Sequence, residues 1–351
     1  MKRTRRLLSL VALASAVSLL GAACGDDKDD ASTDSGSDST EQSSDIKVGL
    51  AFDLAGRGDK SFNDAAVAGL DKAADELGLE APKELSPSKD EDREANLKLL
   101  TEGGYSPIIG VGFAYADSIK LIAEANPDTS YVTIDTVVEA DNVRNNVFAE
   151  EQGSFLVGAA AALKSTTGTV GFIGGVENDL IKKFEAGYVA GAKAAKPEIV
   201  VDVKYISPDG DFTGFNAPDK AKVIAGAMYE AGADVIFHAA GGSGSGLFDA
   251  AVEAGDGKWA IGVDSDQYLN ATTDQQAHIL TSMLKRVDVA VYDSIKAFAE
   301  GDKGGKTVVL DLKAEGVGYS TSGGYVDDIA DQLDAFKDQI ISGEITVPTA
   351  P

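Results

Sequence analysis

Short apolar runs alternate with amphipathic stretches along most of this chain. IKVGLAF (46–52), SPIIGVGF (106–113), SYVTID (130–135), TVGFIGG (169–175), IVVDVKYI (199–206), DVIFHA (234–239) and WAIGVD (259–264) each predict a buried strand. Between them, Ala and Leu recur at helical spacing over Phe62–Leu77, which ends at Gly78. The same spacing covers Tyr115–Ala125, Leu180–Ala195, Pro218–Ala231 and Leu247–Ala254. Strands joined by crossover helices predict parallel sheets covered on both faces. There are more such units than one compact sheet needs, so the pattern predicts two α/β lobes, with Asn145–Leu163 as the natural join. Beyond Asp264 the alternation changes. His278–Glu300 reads as one long helix, KTVVLDLKAEGVGYS (306–320) as a hairpin-like strand pair, and Tyr325–Ile341 as a final helix ending at Ser342-Gly343. The expected division is 46–144 plus 268–304 in the first lobe and 145–267 plus 305–351 in the second.

A different pattern opens the chain. Basic Lys2, Arg3, Arg5 and Arg6 precede uncharged Leu7–Leu20, then the small residues Gly21, Ala22 and Ala23, then Cys24, the only cysteine in 351 residues. This reads as a lipoprotein signal peptide over 1–23, with Cys24 carrying the lipid that anchors the protein to the extracytoplasmic face of the cell membrane. Leu20 lies four residues before the cysteine, where such boxes usually carry Leu at three. Residues 24–45 follow as an acidic linker rich in Ser and Asp; Gly25–Asp45 holds eight carboxylates against one Lys, too polar to bury a core. No second apolar stretch reaches spanning length, since Leu156–Leu163 is far too short.

Charge and composition then remove whole classes of function. Loss of 1–23 takes four positive charges from a formal net charge of −26, leaving −30, which disfavours nucleic acid as a partner. A single cysteine excludes internal disulfides, and His238 and His278 are the only imidazoles, so neither a His-rich metal site nor a Ser-His-Asp apparatus is expected. GGSGSG (241–246) has no following Lys-Ser/Thr and no G-x-S-x-G, and the loop after Phe52 lacks G-x-G-x-x-G. Neither a metal nor a cofactor is expected.

Open α/β sheets bind ligands beyond the carboxyl ends of their strands, which in two facing lobes meet across a cleft. The segments there are polar or glycine-rich: DLAGRGDKSFND (53–64), GFAYAD (112–117), GGVEND (174–179), AAGGSGSG (239–246) and VDSDQ (263–267). Asp59, Asp64 and Asp266 suit helix caps, and the glycines at 241–246 suit close approach to a small ligand.

DKSFNDAAVAGL (59–70), GVGFAYADS (110–118), FEAGYVAGAK (184–193), GFNAPDKAK (214–222), GVDSDQ (262–267) and TSMLKRVD (281–288) together resemble the basic membrane protein family of lipoproteins, over about 46–351. That family is similar to the purine-nucleoside receptors that serve ATP-driven importers. The resemblance implies a periplasmic-binding-protein-like (type I) fold of two Rossmann-like lobes around a central cleft and hinge. It implies that Phe62 and Phe215 sandwich a purine, although Phe212 could be the second ring. Asp53, Asn63 and Asp117 would meet the base edge. Asp264 and Lys285 would grip the ribose, with Glu185 and the Gly241 backbone beside them. A monomeric, non-enzymatic binding protein delivering a nucleoside to an ABC permease is the reading. A ligand sensor or surface-interaction protein on the same fold is an alternative, and so is a nucleoside hydrolase using the aspartates of DLAGRGDKSFND.

Overall fold

The computed structural model describes residues 46–351; the leader, Cys24 and the acidic linker expected over 1–45 lie outside the described residues. The strands are β1 (Lys47–Ala51), β2 (Glu80–Leu85), β3 (Ile108–Gly110), β4 (Tyr131–Ile134), β5 (Val143–Phe148), β6 (Thr169–Val176), β7 (Val200–Ser207), β8 (Val235–Ala239), β9 (Trp259–Asp264), β10 (Ile279–Lys285), β11 (Lys306–Leu310) and β12 (Val317–Tyr319). The helices are α1 (Phe62–Leu77), α2 (Asp92–Glu102), α3 (Ala116–Ala125), α4 (Glu150–Lys164), α5 (Asp179–Ala195), α6 (Pro218–Glu230), α7 (Gly244–Ala254), α8 (Thr273–Gln276), α9 (Val287–Ala299) and α10 (Ala330–Ser342). Among the described residues no helix is long and apolar enough to cross a membrane.

Two six-stranded sheets carry one strand plan twice. The first runs β11-β5-β4-β3-β1-β2 and the second β12-β10-β9-β8-β6-β7. All pairings are parallel except β10 with β12. Central strands read as unbroken apolar runs because helices cover both faces: Val48, Leu50, Phe172 and Phe237 are all buried.

The chain crosses between lobes three times. After β5 it enters α4, which packs on α5; after β10 it enters α9, which packs on α1; the third crossing joins β11 to β12. Both helix pairs approach closely through glycine. A Cβ on Gly158 would lie 2.1 Å from the Tyr188 carbonyl oxygen, and one on Gly69 would lie 2.2 Å from that of Asp288.

Three expectations need correction. His278–Glu300 is a strand followed by a helix, not one helix. Thr281 and Ser282 make the run look amphipathic, but both are buried and hydrogen-bonded: Thr281 Oγ1 donates to the Ser320 carbonyl at 2.6 Å, and Ser282 Oγ accepts from the Gln267 amide at 3.1 Å. Residues 306–320 form no hairpin, since β11 joins the first sheet and β12 the second. The division between lobes shifts for the same reason. β5 and β11 belong to the first sheet and β10 to the second, so the crossings fall near 149, 286 and 311, not at 145, 268 and 305. Several elements were not anticipated, β2 and β5 among them. β2 is a half-exposed edge strand without an apolar run, and β5 (VRNNVF) hides two asparagines, Asn145 and Asn146, whose amides are satisfied inside the lobe.

Candidate functional site

The carboxyl ends of the two sheets face a cavity of about 570 Å³, part of it open to solvent. Its lining falls into two groups.

The first group surrounds Asp53, just after β1. Asp53 Oδ1 accepts from Arg93 Nη2 at 2.6 Å and from the Leu54 amide at 2.9 Å. Its Oδ2 lies toward Gly112, where a Cβ would sit 3.1 Å away; glycine at φ +109° keeps that space clear. The Asp53 amide donates to Asn63 Oδ1 at 3.0 Å, and Asn63 Nδ2 donates to Asp59 Oδ2 at 3.0 Å. Asp59 caps α1, accepting from the amides of Ser61, Asn63 and Asp64 at 2.9–3.1 Å. Burial raises the Asp59 pKa, opposed by these donors. Phe62 at the start of α1, Phe113 after β3 and Phe215 complete this part of the wall.

The second group surrounds Lys285, the last residue of β10 and 2% exposed. Its Nζ donates to Asp135 Oδ2 at 2.7 Å and lies 3.1 Å from Glu150 Oε1. The rings of Phe148, Phe62 and Phe184 stand 4.9, 5.3 and 5.5 Å from it. Burial alone would lower the Lys285 pKa, but Asp135, Glu150 and Asp264 outweigh it and hold the ammonium charged. Asp264 Oδ2 accepts from Ser61 Oγ at 2.8 Å. Burial pushes its pKa up to about 7, against the pull of Lys285 and Ser61. Burial raises Asp135 as well, despite Lys285. Asp135 Oδ1 and Glu150 Oε1 lie 2.7 and 3.1 Å from the same ammonium and have no other polar partner.

Beside this group the lobes are stitched together. Ser61 Oγ also lies 3.1 Å from the Val263 carbonyl, Ser265 Oγ donates to the Ser61 carbonyl at 3.0 Å, and Gln267 Nε2 donates to the Lys60 carbonyl at 3.1 Å. Gln267 Oε1 in turn meets His238 Nε2 at 3.0 Å; burial lowers the His238 pKa to about 4, so its ring stays neutral.

Seven of the nine ligand-binding residues singled out in the sequence line the cavity: Asp53, Phe62, Asn63, Phe215, Gly241, Asp264 and Lys285. Two do not. Asp117 is exposed on the first turn of α3, and Glu185 accepts a hydrogen bond from the Tyr205 hydroxyl, away from the lining. Phe215, not Phe212, faces the cavity. Asp266 stands at the N-cap of the short helical turn Gln267–Asn270, but its carboxylate does not cap it and instead accepts from the hydroxyls of Ser320 and Ser322 at 2.8 and 2.6 Å. Only Gly241 of the 241–246 glycines lines the cavity with its backbone. Gly244 makes room for the His238 ring, and Gly246 for the Pro218 carbonyl.

Asp135, Glu150, Phe113 and Phe184 were not anticipated. A usable signal existed for Asp135: it ends SYVTID as Asp264 ends WAIGVD. Among the described residues no group of three or more His, Cys, Asp or Glu side chains is arranged to hold a metal ion.

Residues 46–350 match the Bmp family, described as ABC transporter substrate-binding protein, PnrA-like. A CD4+ T-cell-stimulating antigen of Listeria innocua is 36% identical, over 100% of this chain and 99% of its own. The ABC transporter nucleoside-binding protein BmpA of Lactococcus lactis subsp. cremoris is 34% identical, over 99% and 100%. Among solved structures, an ABC transporter solute-binding protein of Aeropyrum pernix K1 superposes with a TM-score of 0.76 at 30% identity, covering 87% of this chain and 93% of that one.

Proposed function

The chain belongs to the PnrA-like family of ABC transporter substrate-binding proteins, which bind a substrate and do not transform it, and on that footing we propose that its cavity captures a purine nucleoside. One observation carries the reading: Phe62, Phe215, Asp264 and Lys285, drawn from both lobes, line a single cavity. A relative named as nucleoside-binding supports the ligand class. In this reading Phe62 and Phe215 hold the flat heterocycle, with stacking contributing about 1–3 kcal/mol per base. Asp53 Oδ2 accepts from N–H groups on the base edge, beside Asn63. Asp264 and Lys285 meet the pentose hydroxyls, with Asp135 and the Gly241 backbone close by. Such a site disfavours ligands lacking those hydroxyls, because its own buried polar groups would be left without partners.

Ligand contacts from two lobes exist together only when the cleft is shut, so binding favours the closed form by its differential affinity. The occupied protein then hands its ligand to an ABC permease. Lipid on Cys24 and the linker over 24–45 tether this monomer at the extracytoplasmic membrane face. Titration calorimetry of the purified protein against adenosine, guanosine, inosine, uridine and ribose tests the ligand class. Purine nucleosides are expected to bind and ribose alone to bind weakly; silence from every nucleoside would reject the assignment.

A further inference from the structure

Arg93, the second residue of α2, is 3% exposed, and a guanidinium so buried is costly unless paired. Its Nη1 meets Asp90 at 2.6 Å and its Nη2 meets Asp53 Oδ1 at 2.6 Å. That second contact leaves Asp53 Oδ2 for the cavity. Its other neighbours are rings: the guanidinium carbon stands 5.7 Å from the Tyr115 centroid and 5.4 Å from that of Phe212. Tyr115 belongs to the same lobe, but Phe212 belongs to the other. Phe212 also packs edge-on against Phe113 of the first lobe, at 5.5 Å.

Phe212 and Phe215 share one short helical turn, Phe212–Phe215, tightly fixed to the second lobe. Ser207 Oγ bonds the Gly175 and Asp211 carbonyls at 3.0 and 2.5 Å, and Ser243 Oγ donates to the Gly214 carbonyl at 2.8 Å. One turn therefore shows one ring to the cavity and the other to Arg93. Shutting on a ligand and shutting on Arg93 are the same movement.

We propose that Arg93 and Phe212 form a latch between the lobes: Arg93 is a positioning residue that aims Asp53 into the cavity, and Phe212 closes over it from the opposite lobe and slows ligand release. Opening strips Phe212 from Arg93 and from Phe113, so water must enter an apolar contact that flanks a buried charge. The ligand used below rests on the nucleoside reading; the closure does not.

Release and association are read by stopped-flow with fluorescent 2-aminopurine riboside, displaced by inosine. Phe212→Ala is expected to release about 10-fold faster, the loss of one cation–π and one aromatic edge contact, while association stays within about twofold. Phe212→Tyr is expected to restore slow release. Arg93→Met is expected to speed release in either background through its loss of Asp53, but by several-fold less when Phe212 is already Ala, since the two variants share the Arg93–Phe212 contact. Unchanged release in Phe212→Ala, or effects of the two variants that multiply, would overturn the latch. A second measurement needs no ligand. Amide exchange at 59–63 and 263–267, the stitched seam by Lys285, should rise several-fold in Phe212→Ala, and unchanged exchange there would likewise overturn it. If the wild type binds no nucleoside, the exchange result still decides the latch, so the two ideas fail separately. A single cooperative urea transition in Phe212→Ala confirms an intact fold.

Discussion

Asp135 follows the fourth strand of the first lobe and Asp264 ends the fourth strand of the second. Both adopt left-handed backbone, at φ +71° and +66°, a conformation aspartate tolerates better than most side chains. Both point toward Lys285, yet their partners differ. Asp135 accepts directly from the ammonium at 2.7 Å, whereas Asp264 accepts from Ser61 of the opposite lobe and feels Lys285 through space. The next strand explains the asymmetry: β5 ends in Phe148, β10 in Lys285. Duplicated topology supplies two equivalent carboxylates, and one basic residue, whose counterpart in the other sheet is Phe148, divides their work. Asp135 neutralises a buried cation; Asp264 remains available to a ligand.

The severest way to break this contrast is Lys285→Met, which leaves Asp135, Glu150 and Asp264 crowded without their cation. A loss of about 3–5 kcal/mol in urea unfolding is expected, along with nucleoside binding. Asp135→Asn should cost about 2 kcal/mol, less than a wholly broken pair because Glu150 still faces Lys285. Asp264→Asn should behave oppositely: unfolding free energy at about pH 4, where the buried carboxyl carries its proton, changes by under about 1 kcal/mol, while affinity falls about 30-fold, the loss of one hydrogen bond to a charged group.

Proton linkage sharpens the contrast further. Asp264, raised to about 7 by burial, holds a proton in the folded protein between about pH 4 and 7 that the unfolded chain has released. Stability from this group is therefore complete below about pH 4 and is lost as pH rises through about 7. Asp264→Asn should flatten the stability–pH slope in that window by up to about 1.4 kcal/mol per pH unit. Ser61→Ala is the mildest test, costing about 1 kcal/mol. Because the Ser61 hydroxyl lowers the Asp264 pKa, its removal should move the upper inflection to higher pH.

Much of the fold was legible because covered parallel strands leave continuous apolar blocks; Phe62–Leu77 with its left-handed Gly78 cap was readable to the residue. What escaped shares one cause. Thr281, Ser282, Asn145 and Asn146 are polar residues buried with their hydrogen bonds satisfied, and one-dimensional periodicity scores such positions as solvent-facing. The site divides similarly. Side chains on strand-end loops could be found from the alternation and the family resemblance, but Glu150 and Arg93 sit on helices whose inward faces depend on packing. Asp117 and Glu185 carried suitable chemistry on suitable segments and point elsewhere, which only the helix rotation determines.

The two sheets receive their last strands within a few residues of each other, β11 at 306–310 and β12 at 317–319. A chain threaded through a membrane pore from its amino end would thus keep both sheets unfinished until nearly nine-tenths of it had emerged. Both halves would gain their last edge strand at almost the same moment on the far side.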